Sequence, residues 1–128
     1  MEKYLISEAF NQLKLNESTT LVDKLKVAND SDTSPDILSE LSNNEKPDVR
    51  RAVARNSSTP SEVLNLLAGD SVDLVRYSVA KNPNTPLEVL KKLADDEEEY
   101  IREFVRNRIP YEANENEFGF TDDDFEDY

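Results

Sequence analysis

Displaced by 26 residues, this sequence falls on itself without a gap. Thr33, Thr59 and Thr85 coincide, as do Leu38, Leu64 and Leu90, and then Leu41, Leu67 and Leu93. Ile37, Val63 and Val89 align, followed by small residues at Ser42, Ala68 and Ala94. Val49, Val75 and Ile101 align next, each followed by an arginine: Arg50, Arg76 and Arg102. Val27, Val53, Val79 and Val105 complete the register, with Ala28, Ala54 and Ala80 behind the first three and Arg106 behind the last. A fixed period of this length marks a chain made of stacked copies of one supersecondary unit. One copy cannot cover its own apolar stripe. Neighbouring copies cover each other, and about three are needed for stability.

Within each unit the pattern is helical. Thr59-Pro60-Ser61-Glu62 and Thr85-Pro86-Leu87-Glu88 have the form of helix starts. The Thr hydroxyl is expected to accept from an orphan N–H, Pro to occupy the first helical position, and the acid to close a capping box. Thr33-Ser34-Pro35-Asp36 is a variant with Pro one place later. Val63, Leu64, Leu67 and Ala68, and likewise Val89, Leu90, Leu93 and Ala94, make one face of a helix of about three turns. A second, shorter helix is expected over Val49, Ala52 and Val53 and over Val75 and Val79. It ends near Asn56 and Asn82, residues that tolerate a left-handed C-cap. No stretch alternates apolar and polar residues over strand lengths, so the class is all-α. The units run Val27–Ala52, Val53–Ser78 and Val79–Phe104. Residues 1–26 are expected to form capping helices, 27–110 three helical repeats closed by Pro110, and 111–128 an acidic tail.

Composition narrows the chemistry. The chain has neither Cys nor His and only two glycines, Gly69 and Gly119. Thiolate ligands, imidazole bases and Gly-rich phosphate loops are therefore excluded. No catalytic residue, cofactor or metal is assigned, and an enzyme is not expected. The net charge of -13 argues against nucleic acid or an anionic membrane as partner. No apolar run is long enough to span a bilayer and the first residues do not form a secretory signal, so a cytoplasmic location is expected.

The string from Val75 to Asp96, which contains Val-Arg, Val-Ala-x-Asn, Thr-Pro, Val-Leu, Leu-Ala and Asp in order, resembles the leucine-rich repeat variant family. Val49 to Asp70 matches nearly as well, and the resemblance extends over about Val27 to Ile109. Such repeats are similar to HEAT and armadillo units. The resemblance implies a short right-handed α-solenoid in which α-helices alternate with short, sometimes 3₁₀, helices. A Cys-rich iron–sulfur module known in a relative is not implied here, because there is no Cys. The first unit departs by Asp30 in the Asn place and by the shifted Pro35, and the last reads Val105-Arg106-Asn107-Arg108. Both look like terminal repeats adapted as caps.

Several positions are candidates for partner contact. Arg50, Arg76 and Arg102 form a ladder suited either to gripping a partner's carboxylates or to pairing with an acid or carbonyl of a neighbouring repeat, such as Asp70 or Asp96. Beside them, Arg51, Tyr77 and Glu103 differ in every repeat. Positions that vary within a fixed frame either carry specificity or are plain solvated surface. Asp95 to Glu99 is a run of five acids without the spacing of an EF-hand, and reads as a solvated loop.

The tail holds 8 acidic and no basic side chains, with half of the chain's aromatics: Tyr111, Phe118, Phe120, Phe125 and Tyr128. Such a segment is expected to be disordered when free and to bind by inserting rings into pockets while Asp123 and Asp124 meet a basic rim. The functional expectation is a non-enzymatic interaction module, in its concrete form an acidic inhibitor or immunity-like protein masking a basic partner protein. The alternative is a passive scaffold or adaptor that binds through the repeat surface.

Overall fold

A computed structural model of the chain describes residues 19–109. The expected capping helices before residue 19, Pro110 and the whole acidic tail lie outside the described residues. Seven α-helices and no strand are present among those described. They are α1 (Leu21–Ala28), α2 (Pro35–Leu41), α3 (Pro47–Arg55), α4 (Ser61–Leu67), α5 (Asp73–Lys81), α6 (Leu87–Leu93) and α7 (Glu99–Arg108). The protein is all-α, a series of paired short helices. Both helices of each pair are α-helical, so the 3₁₀ segments implied by the family resemblance are not seen among the described residues.

Two compact units divide at Thr85/Pro86. In the first, α3 packs between α1 and α5, while α2 packs on α1 and α3, and α4 on α3 and α5. In the second, α6 packs against α7. The core is the set of aliphatic positions that the repeat predicts. Leu38, Val49, Val53, Leu64, Val75 and Val79 are fully buried in the first unit, and Leu93, Ile101 and Val105 in the second. Burial of one such side chain contributes roughly 1.5–3 kcal/mol, so a layer of them from each copy supplies most of the drive to stack. Helix α1 crosses residue 27 and stands 26 residues before α3. The repeating pattern of helices therefore begins earlier than the apolar register at Val27 suggests.

The helix lengths reverse the expectation. The helices after Thr-Pro have seven residues, about two turns, whereas those that follow have nine or ten. Each begins one residue later than expected and ends before the Ala of its apolar face, which is the C-cap. Pro60 and Pro86 are the N-caps, extended at φ -62° and ψ 153°, with no side-chain capping bond. The Thr before each is buried and turned inward. Its hydroxyl donates rather than accepts: Thr33 to Val27 O, Thr59 to Val53 O and Thr85 to Val79 O, each at 2.7 Å. Those carbonyls lie near the end of the preceding helix, where the N–H four residues on is lost and the one three residues on donates beside the hydroxyl. Glu62 and Glu88 stay exposed in the first turn, so no capping box forms. Thr20 and Ser34 cap as hydroxyls should, accepting from Asp23 N at 3.1 Å and from Ile37 N at a long 3.4 Å. Thr59→Val keeps the shape and removes the donor. It is expected to cost about 1 kcal/mol in a denaturant melt, whereas Glu62→Gln should change stability by less than about 0.5 kcal/mol.

Two side chains per repeat turn its corners. At one corner the side-chain oxygen accepts the N–H two residues on: Asp30 from Asp32, Asn56 from Ser58 and Asn82 from Asn84. At the other, Asn44 accepts from Lys46, Asp70 from Val72 and Asp96 from Glu98. These are Asx turns, which let a short polar side chain stand in for a backbone acceptor. Asn56 and Asn82 are not left-handed caps as the sequence suggests. Their φ values are -75° and -67° with ψ 124°. The position is extended because the side chain is directed into the stack. Asn56 Nδ2 donates to Ala28 O (2.8 Å) and Asp30 O (3.0 Å), and Asn82 Nδ2 to Ala54 O (2.8 Å) and Asn56 O (3.0 Å). Each amide thus ties its helix end to the copy before it. Asp30 closes its own turn but has no amide to donate.

Candidate interaction face

Side chains four apart on a helix share a face. On α3 this brings Arg51 and Arg55 together, and on the neighbouring α5 it brings Tyr77 and Lys81 together. The repeat register sets Arg51 against Tyr77 and Arg55 against Lys81. Together with Ser78 and Asn82 they line an open cleft of about 310 Å³. Arg51, Arg55 and Lys81 are exposed and Tyr77 is half-buried. Lys81 Nζ sits 5.3 Å from the centroid of the Tyr77 ring, within cation–π range. Among the described residues, no hydrogen bond or ion pair engages the side chain of Arg51 or Arg55. No acid lines the cleft. A chain of net charge -13 therefore carries a local patch of three cations around a tyrosine.

The arginine ladder is built differently. Arg50 Nε donates to Asp70 Oδ2 at 2.7 Å and Nη2 to Oδ1 at 3.2 Å, while Nη1 reaches Asn44 O and Glu45 O. The pair is mostly buried, with side-chain exposures of 15% and 8%. Arg76 Nη1 donates to Asp70 O at 2.8 Å, and Arg102 Nη1 to Asp96 O at 2.7 Å. In each case the guanidinium binds the corner carbonyl six residues back. Asp70 consequently joins three segments: its carboxylate holds Arg50, its carbonyl holds Arg76, and Oδ1 closes its own turn. These guanidiniums are committed to the frame of the protein.

Of the variable positions, Arg51 and Tyr77 come together in the cleft, and Glu103 lies exposed on α7 in the second unit. Tyr111, Phe118, Phe120, Asp123, Asp124, Phe125 and Tyr128 lie outside the described residues. In the acidic run, Asp96 is spent on its turn and Glu99 opens α7. Among the described residues no three carboxylates gather as a metal site, and no helix is long and apolar enough to cross a membrane. Sequence reading missed Arg55 and Lys81. Both lie four residues after a position already singled out, and both are basic at the same place in the repeat.

Paired short helices held by the same side-chain-to-backbone bonds every 26 residues define a helical repeat protein. Two adjacent repeats, residues 47–72 and 74–98, match the model of the leucine rich repeat variant family. Repeats of this family are typically protein-interaction modules, and the family is not one of enzymes. No curated protein and no solved structure matches the chain.

Proposed function

We propose that this chain is a non-enzymatic module that binds a partner protein through the face made by α3 and α5. One observation carries the reading. The recurring polar residues Thr, Asn and the ladder Arg are consumed in holding the chain together, whereas the non-recurring Arg51 and Tyr77 stand on a cleft with basic neighbours. A repeat scaffold of this kind fixes the frame and leaves the face to write specificity. In this reading the chain works as an adaptor.

A second reading is favoured by charge. Residues 111–128 hold 8 acids, no base and five aromatics. They suit an acidic inhibitor or immunity-like protein that masks a basic partner, with fast, salt-sensitive association. Truncation after Pro110 separates the two. A partner is first captured from source cells with the full chain, and its affinity for both forms is then measured at low and high salt. The adaptor reading expects the shortened chain to keep the full affinity. The inhibitor reading expects a loss of about tenfold or more and a flatter salt dependence. Failure of the full chain to capture any protein at a defined ratio would dismiss both.

A further inference from the structure

We infer that the Arg51–Arg55–Tyr77–Lys81 cleft binds an acidic, extended segment of a partner protein. The inference rests on the adaptor reading and adds the chemistry of the ligand.

The first argument is charge. Three exposed cations converge on the cleft and no acid lines it. The second is local cost. Arg51 and Arg55 are like charges at i and i+4 on one helix, a spacing that destabilises. A Glu at position 51 would be the favourable partner for Arg55, so the present pair works against the helix, and Asp48, three residues before Arg51, offsets it in part. Folding does not call for it, and binding a carboxylate would.

The third argument is spacing. Side chains one helical turn apart have Cβ atoms about 5–6 Å apart, and those on one side of an extended peptide recur at about 7 Å. Guanidiniums on long stems bridge that difference. Two alternate acids of a strand-like peptide can meet Arg51 and Arg55, each by paired N–H donors. Lys81 lies across the cleft over the Tyr77 ring, which offers an apolar surface to an intervening side chain. A polyphosphate would meet the same cations, but a long polyanion extends more charge beyond the cleft, against a chain of net charge -13, than a short acidic peptide does.

The test uses the full chain and a fluorescein-labelled peptide alternating Glu with Leu, read by anisotropy. Controls are the same peptide with Gln in place of Glu and a labelled oligothymidylate. The Glu peptide is expected to bind, more weakly as salt rises, and the Gln peptide to bind at least about tenfold more weakly. Arg51→Glu is expected to weaken the Glu peptide by at least about tenfold. The same variant should leave the melting temperature little changed, because the attraction it gains towards Arg55 is offset by the repulsion it gains from Asp48, three residues back. A merely structural arginine would not show that combination.

Equal binding of the Gln peptide, undiminished binding by Arg51→Glu, or tighter binding of the oligothymidylate would each overturn the inference. If a captured partner binds Arg51→Glu as well as the parent chain, the cleft assignment falls while the adaptor reading stands.

Discussion

Replacing Asn82 with Asp is expected to lower the unfolding free energy by about 3 kcal/mol at neutral pH, although the two side chains have nearly the same shape. Asn82 is 2% exposed. Its Nδ2 donates to Ala54 O and Asn56 O, and its Oδ1 accepts from Asn84 N. Asp preserves the last bond and sets an oxygen against two carbonyls that have lost their donor. Ionised, it would add a buried charge beside them. Burial and the carbonyls both raise the folded-state pKa of such a carboxyl above the unfolded value of about 3.9.

The pH dependence of the variant follows from that sign. Below about pH 4 both states are protonated, and the deficit is only that of a poorer hydrogen bond. As pH rises, the unfolded chain gives up its proton first, so the folded state is progressively disfavoured until its own raised pKa is passed. Urea melts of parent and variant should therefore diverge from about pH 4 upward. Curves that keep a constant separation across this range would falsify the buried donor role of Asn82.

The case of Asn82 also shows where sequence reading stops. Val53, Leu64, Val75 and Val79 were legible as core because burial of aliphatic side chains is periodic, and periodicity is visible in one dimension. Asn82 and Asn56 were legible only as polar residues at a helix end. Left-handed caps and lateral donors use the same residue type, and only depth in the stack separates them. The equivalent positions in the outer copies are Asp30 and Arg108, neither of which has an amide.

Thr59 and Thr85 misled for a related reason. A hydroxyl both donates and accepts, and Thr-Pro-x-Glu satisfies the pattern of a capping box. The pattern does not reveal the end of the preceding helix six residues back, whose carbonyl accepts the hydroxyl's hydrogen bond. With the Thr turned inward, Pro60 becomes the N-cap and the helix starts at Ser61, one residue later than the pattern suggests.

The ladder and the cleft divide along the same line. Arg50, Arg76 and Arg102 recur with the core positions, and their guanidiniums bind the frame. Arg51 and Tyr77 break the recurrence and reach the surface. Arg55 and Lys81 join them only once α3 and α5 are known to be neighbours, which the sequence states through the 26-residue register but not through any single helix. Recurrence within one chain therefore sorts frame from face in the first unit without any comparison between proteins.

Helix α4 supplies the sharpest test of that sorting. Leu64→Ala should destabilise the protein by about 3 kcal/mol, whereas Leu66→Ala, two residues later, should change stability by less than about 0.5 kcal/mol. Leu64 is fully buried and Leu66 is 57% exposed. Both occupy α4, and both substitutions put the best helix former in place of a good one, so helix propensity does not separate them. The difference lies in the stack. Leu64 has its counterparts Leu38 and Leu90 at the same place in neighbouring copies, all three buried, while Leu66 aligns with Glu40 and Lys92. Removing Leu64 opens a cavity among short helices that lack the length to relax into it. With only two turns to α4, too few contacts remain to hold the helix in register, so the loss should be transmitted to α3 and α5. Hydrogen exchange of Leu64→Ala should accordingly show faster opening of α3, α4 and α5 together. Exchange confined to α4, or a Leu66→Ala variant as unstable as Leu64→Ala, would mean that the helices are held by something other than the apolar row their spacing describes.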